Sequence, residues 1–218
     1  IPTRFMYNHY MRPFKNTALA GMIWYQGESD FIVGSYETYN ERFAALVDYM
    51  RENNGSSSPN FPVFIVELPS MFNGSEEGWA FLPTAAVRSR MGLIPTLVNN
   101  SYIASTSDIW KDTEHKNNLH PYCKYDIAKR LSDLAGSVIY KERALNFVAG
   151  PQFKGYTLSD DGKSVRVYFD YAAKGLKAFA GGQFKGFTVN DNRTPVKVEA
   201  GAYNCIEISS DEVITQVK

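Results

Sequence analysis

Apolar residues along this chain gather into two kinds of run. Residues 19–25 and 62–68 are short and almost continuously apolar, the pattern of strands buried on both faces of a parallel sheet. Residues 102–106 form a third candidate of that kind. Between them the apolar spacing becomes helical. Tyr36, Tyr39, Phe43, Leu46, Val47 and Met50 recur on one face, with Glu37, Glu41, Arg42 and Asp48 elsewhere on the wheel and Ser35 placed as an N-cap. A further helix is predicted over 81–91. Another starts at Pro121 and runs to about residue 141, with Ile127, Leu131, Leu134 and Val138 as its stripe. Near the start, Thr3 is placed to cap a short helix to about Met11, with Pro13 helping to end it. Strands alternating with helices at this spacing predict βαβ units and a parallel sheet.

The character changes near Phe147. From there to Lys218 there is no helical period, residues 165–169 and 206–208 alternate, and Asp160, Asp161 and Gly162 cluster as a turn. Residues 152–158 also echo residues 183–189, and each copy is followed by a polar turn and a Val-basic-Val strand (165–167 and 196–198). Two such units predict a small antiparallel β module over 147–218, after an α/β domain over 1–146.

The 218 residues suffice for a core without disulfide or metal support. Lys+Arg 23 against Asp+Glu 23 leaves no net charge, which removes the phosphate attraction most nucleic-acid binders rely on; no nucleic-acid partner is expected. The apolar runs are too short to span a bilayer and there is no lipidation motif, so no membrane partner is expected. Cys123 and Cys205 lie far apart with no C-x-x-C spacing and read as thiols, with one bridge as the alternative. Aromatic content is 14%, which suits an aromatic core first and a sugar-binding surface second. Ile1 to Arg4 show neither an initiator Met nor a leader pattern, so the chain reads as a processed protein or a fragment.

Two places carry candidate chemistry. Trp24-Tyr25-Gln26-Gly27-Glu28-Ser29-Asp30 follows the first strand, and open parallel sheets bind ligands at the carboxyl ends of their strands. Gly27 lets the backbone approach a substrate with its N–H as an oxyanion donor, Gln26 adds an amide donor and Glu28 a carboxylate. The plainer alternative is a polar loop in which Ser29 or Asp30 only caps a helix. The second place is His120 before Pro121, where a histidine fixed at a helix start can act as general base. A lone histidine is otherwise structural or solvated, as His115 reads. No zinc-binding spacing is present, and neither a metal nor an organic cofactor is expected.

Together the two places resemble the SGNH-type hydrolase arrangement. More closely, residues 23–30 resemble the W-Y-Q-G-E-S block of sialate O-acetylesterases and related carbohydrate acetylesterases. Tyr7-Asn8 and Pro13 are similar to that family's Y-N…P segment, and Leu119-His120-Pro121 with Lys124 and Arg130-Leu131 to its I-H-P-x-x-K…R-L segment. Gly150-Pro151, Phe169-Asp170 and Gly175-Leu176 match its region after the hydrolase domain. The resemblance implies the second half of a doubly wound SGNH-type α/β domain followed by the β module. It implies a serine esterase that removes acetyl groups from sugars, the 9-O-acetyl ester of sialic acid first. An acetyl-xylan esterase and a non-catalytic glycan-binding remnant are the alternatives. His120 would then be the base, Gln26 and Gly27 the oxyanion donors, and Glu28 a residue that orients the loop or a sugar hydroxyl.

Two departures qualify the match. The family's G-Q-S-N-type nucleophile loop is missing, and Asn117 stands where the wider superfamily places the Asp that orients the histidine. Asp108 and Asp112 are the nearest carboxylates in sequence, and a backbone carbonyl is the other option. The expected partners are therefore an acetylated carbohydrate and either an upstream segment carrying the nucleophile or a second copy of the chain. Either would cover the apolar strand 19–25. The resemblance also implies a secreted or periplasmic location.

Overall fold

The computed structural model describes residues 5, 7–53, 59–69, 84–109, 124–172, 175–178, 184, 187–190, 196–201 and 204–217. They belong to two compact units, Ile1–Arg143 and Ala144–Lys218.

The first unit is built on three parallel strands, β1 (Met22–Trp24), β2 (Val63–Val66) and β3 (Ser101–Ala104), in the order β1-β2-β3. Its helices are α1 (Glu28–Ile32), α2 (Tyr39–Asn53), α3 (Thr84–Gly92), α4 (Ile94–Leu97) and α5 (Lys124–Val138). β2 is the central strand and all four of its residues are buried, which is why its sequence is apolar without alternation. Val63 and Ile65 point into a cluster with Tyr39, Phe43 and Val47 of α2, Val87 and Met91 of α3 and Ile94 of α4. Val66 points the other way, onto Ile127 and Leu131 of α5 and onto Ile109. Helices thus cover both faces of the sheet, the doubly wound arrangement. At about 1.5–3 kcal/mol per fully buried large aliphatic or aromatic side chain, these two clusters are the main stabilising term of the unit. Among the described residues β1 is an edge strand, and Ile23 on it is 62% exposed.

Helix boundaries differ from the expected ones for local reasons. Ser35 does not cap the long helix. A single 3-10 turn, Tyr36–Thr38, precedes α2, and the Ser35 hydroxyl donates to Asp30 instead. Tyr36, Leu46 and Met50 pack against the α2 cluster as the periodicity predicts. The first described turns, Tyr7–Met11 and Arg12–Phe14, bury no residue, and Pro13 sits inside the second of them rather than after it. Thr3 and Pro121 lie outside the described residues.

The second unit is an antiparallel sheet of β4 (Gln152–Leu158), β5 (Ser164–Asp170), β6 (Lys197–Ala200) and β7 (Cys205–Ser209), in the order β4-β5-β7-β6. Val165, Val167, Ile206 and Ile208 form its core with Val189 and Ile214, and Cys205 is buried. Gly162, at φ +70°, makes the turn between β4 and β5. The two sequence echoes part company here. The first is the β4–β5 hairpin, whereas β6 pairs with β7 and Val189 bridges Val217. An open apolar groove of about 500 Å³ is lined by Phe153, Tyr156, Leu158 and Phe187, among others; it lies wholly in this unit and holds none of the expected site residues.

Candidate active site

The parallel register brings three strand ends to one edge of the first unit. There lie Tyr25, Gln26 and Gly27 after β1, Glu67 and Leu68 after β2, and Ser105 to Asp108 after β3.

The β1 loop is held by a chain of hydrogen bonds to α2 and its approach. The Trp24 indole Nε1–H donates to the Tyr39 hydroxyl (2.8 Å), and the Tyr39 O–H donates to the Gln26 carbonyl (2.7 Å). The Gln26 side-chain amide donates to Asp30 Oδ2 (2.7 Å), and Arg42 closes the circuit with Nη2 on Asp30 Oδ1 (2.7 Å) and on the Ser35 carbonyl (2.6 Å). Burial opposes ionisation of Asp30, but the bonds from Gln26 and Arg42 and the Arg42 charge outweigh it and hold its carboxyl below the usual range. Burial, aided by the nearby Asp30 and Glu28 charges and only partly offset by the Trp24 bond, pushes the Tyr39 phenol up to about 12. Tyr39 therefore stays protonated and keeps its donor on the loop.

Gly27 is buried at φ +148°, in a region essentially reserved for glycine. A Cβ there would lie 2.8 Å from Met91 Cε and 3.1 Å from Leu68 Cδ1. The Gly27 carbonyl accepts from Asp30 N–H (3.1 Å), which starts α1, and Glu28 stands half-buried at that start. Gln26, Gly27 and Glu28 are thus brought together at the strand end. The Gln26 amide has one N–H committed to Asp30 and a second beyond that bond.

A second cluster, not picked out by sequence reasoning, sits on the neighbouring strand ends. Glu67 accepts from the Ser105 hydroxyl (2.7 Å) and pairs with Arg88 (3.4 Å). Thr106, fully buried, donates its hydroxyl to the Glu67 carbonyl. Ser107 lies 3.4 Å from the Ser105 hydroxyl. Arg130 of α5 grips Asp108 through two bonds of 2.7 Å and also donates to the Ser105 carbonyl. Asp108, one of the carboxylates nearest the expected base in sequence, is therefore committed to Arg130. The signal for Glu67 was in the sequence, because it is the first charged residue after a fully apolar run.

On the outer side of the β1 loop, Lys124 at the start of α5 places its ammonium 4.6 Å over the Tyr25 ring, with Nζ 3.3 Å from the phenol oxygen. Burial first, and then the Glu28 charge, raises the Tyr25 pKa. His120, Asn117, Asp112 and Cys123 lie outside the described residues. Among the described residues no cluster of His, Cys, Asp and Glu forms a metal site, and no helix is long and apolar enough to cross a membrane.

Comparison with known proteins extends the picture. The family model for carbohydrate esterases described as sialic acid-specific acetylesterase matches residues 2–122. The curated sialate O-acetylesterases of Homo sapiens and Pongo abelii are each 29% identical over 152 residues, which is 65% of this chain and 28% of theirs. The chain thus spans 28% of the length of these relatives. The crystal structure of a carbohydrate acetylesterase from Xanthomonas citri matches with a TM-score of 0.74 and 25% identity, over 96% of this chain and 46% of that one.

Proposed function

From the premise that this chain belongs to the sialic acid-specific acetylesterase family of carbohydrate esterases, we propose that it forms part of a serine esterase. The enzyme would hydrolyse acetyl esters on sugars, with 9-O-acetyl sialic acid as the substrate. The observation that carries the reading is the β1 loop: a buried glycine at φ +148°, clamped by Trp24, Tyr39, Asp30 and Arg42 at the carboxyl end of a parallel strand. Rigid donors cost no reorganisation when charge develops, which is what an oxyanion site requires.

In this reading a serine hydroxyl attacks the acetyl carbonyl, and His120 takes its proton and returns it to the leaving sugar oxygen. The Gly27 N–H and the second N–H of the Gln26 amide hold the oxyanion, while Glu28 orients a sugar hydroxyl. The nucleophile comes from outside these residues. Ser105 and Ser107 follow a strand without a G-x-S turn, and Ser29 lies exposed on α1 within the donor loop itself. A supporting segment or a second copy would lie along the β1 edge, where Ile23 is exposed. A secreted or periplasmic location belongs to the same proposal.

The test is turnover of 9-O-acetyl sialic acid and acetyl-xylan by the enzyme containing this chain, in wild type, His120→Ala and Gln26→Ala. Loss of about 10²-fold or more in kcat for His120→Ala, with the sialate ester preferred, supports the reading. Near-wild-type turnover by His120→Ala removes the base assignment. Preference for acetyl-xylan moves the substrate to a neutral polysaccharide.

A further inference from the structure

The cations at the carboxyl edge of the sheet are not equivalent. Arg42 is paired with Asp30, Arg88 with Glu67 and Arg130 with Asp108. Lys124 differs: among the described residues no carboxylate lies within ion-pair distance of it, and its ammonium rests on the Tyr25 ring and phenol oxygen. Such a contact at an exposed site is weak, so the charge is held in place without being neutralised. Among the described residues Glu28 is the carboxylate whose charge acts on Tyr25, and it forms no ion pair with Lys124.

The Tyr25 oxygen accepts from Lys124, which leaves its own O–H as a second donor. A phenol is protonated at neutral pH in any case, and burial moves the Tyr25 pKa further up. An ammonium and a phenol O–H side by side are two donors at the spacing of one carboxylate. Tyr25 is the residue immediately before Gln26 and Gly27 in the chain, so the pair sits at the entrance to the same strand-end loop in sequence.

We propose that Lys124 and Tyr25 form a carboxylate-binding subsite that selects an acidic sugar over a neutral one. This rests on the esterase reading above and names the feature of the substrate that the site recognises. It adds a specificity role for two residues that take no part in the proposed proton transfers. A substrate carboxylate would accept one bond from the Lys124 ammonium and one from the Tyr25 hydroxyl, with the acetylated arm of the sugar directed towards Gly27.

Equilibrium binding to the chain tests this, because binding requires no nucleophile. The probes are N-acetylneuraminic acid and its methyl ester, the same sugar without the charge, titrated against wild type, Lys124→Gln, Lys124→Arg and Tyr25→Phe. The expected result is an acid preference of about 10-fold or more in wild type, the scale of a charge-assisted bond. That preference should be abolished in Lys124→Gln, largely kept in Lys124→Arg, reduced in Tyr25→Phe, and weakened by high salt. Circular dichroism on each variant checks that the fold is kept. Equal binding of acid and ester by wild type, or an acid preference that survives in Lys124→Gln, overturns the subsite and leaves the esterase reading standing. Failure of both probes to bind removes the sugar reading of this edge and the subsite with it.

Discussion

Replacing Gly27 by alanine isolates the physical demand at the centre of the proposed oxyanion loop. Two costs combine. The backbone at φ +148° is strained for any residue with a Cβ, on the order of 1–3 kcal/mol. The new methyl also meets two fully buried side chains, Met91 Cε at 2.8 Å and Leu68 Cδ1 at 3.1 Å. The shorter contact is the cheaper one, because the end of a methionine can swing aside. Leu68 is branched and packed in the α2 cluster, so it gives less readily. Backbone strain and the Leu68 contact therefore dominate, and Gly27→Ala should cost the first unit about 2–4 kcal/mol. Urea unfolding followed by Trp fluorescence measures it, since Trp24 lies in this unit. A double-mutant cycle with Met91→Ala should show coupling of no more than about 1 kcal/mol, because removing the methionine leaves the strain in place. A loss below about 0.5 kcal/mol, or full rescue by Met91→Ala, would refute the assignment of the cost to backbone conformation.

The remaining predictions concern the clamp and the chemistry it serves. Asp30→Asn should cost about 1–2 kcal/mol at neutral pH, a value held down by the exposure of Arg42. Because the Asp30 pKa is depressed in the folded state, its contribution is present above its unfolded value near 3.9 and is lost as pH falls through the folded one. Wild type should accordingly show an acid-range loss of stability, in urea titrations below about pH 4, that Asp30→Asn lacks. Tyr39→Phe strands the Trp24 N–H and the Gln26 carbonyl and should cost about 1–3 kcal/mol. The raised Tyr39 pKa means its contribution is intact below pH 10 and lost as pH rises through about 12, so ultraviolet titration should show one late tyrosine that is absent from the variant. In the enzyme, Gln26→Ala should lower kcat by about 10²–10³-fold with little change in KM; a selective rise in KM would move Gln26 to substrate binding.

The sequence by itself determined the elements of this protein. Continuous apolarity at 63–66 read as a strand covered on both faces, and the helical period from Tyr39 to Met50 and from Ile127 to Leu134 left one buried face for each helix. It also marked the Gln26-Gly27 loop, because a glycine among polar residues after an apolar strand is a local signal. Tertiary structure decided what those residues do. The parallel pairing of Ile65 with Ile103 and Val66 with Ala104 sets Glu67 beside Ser105, thirty-eight positions away, and no local pattern encodes that distance. Ser35 read as a helix cap because its type favours caps, yet a buried, ionised Asp30 competes for its hydroxyl. Tyr39 and Arg42 read as an apolar position and a solvated charge of one helix. Packing α2 against β1 turned them into the groups that hold the loop, since a buried carboxylate and a half-buried indole N–H find partners wherever the fold brings them.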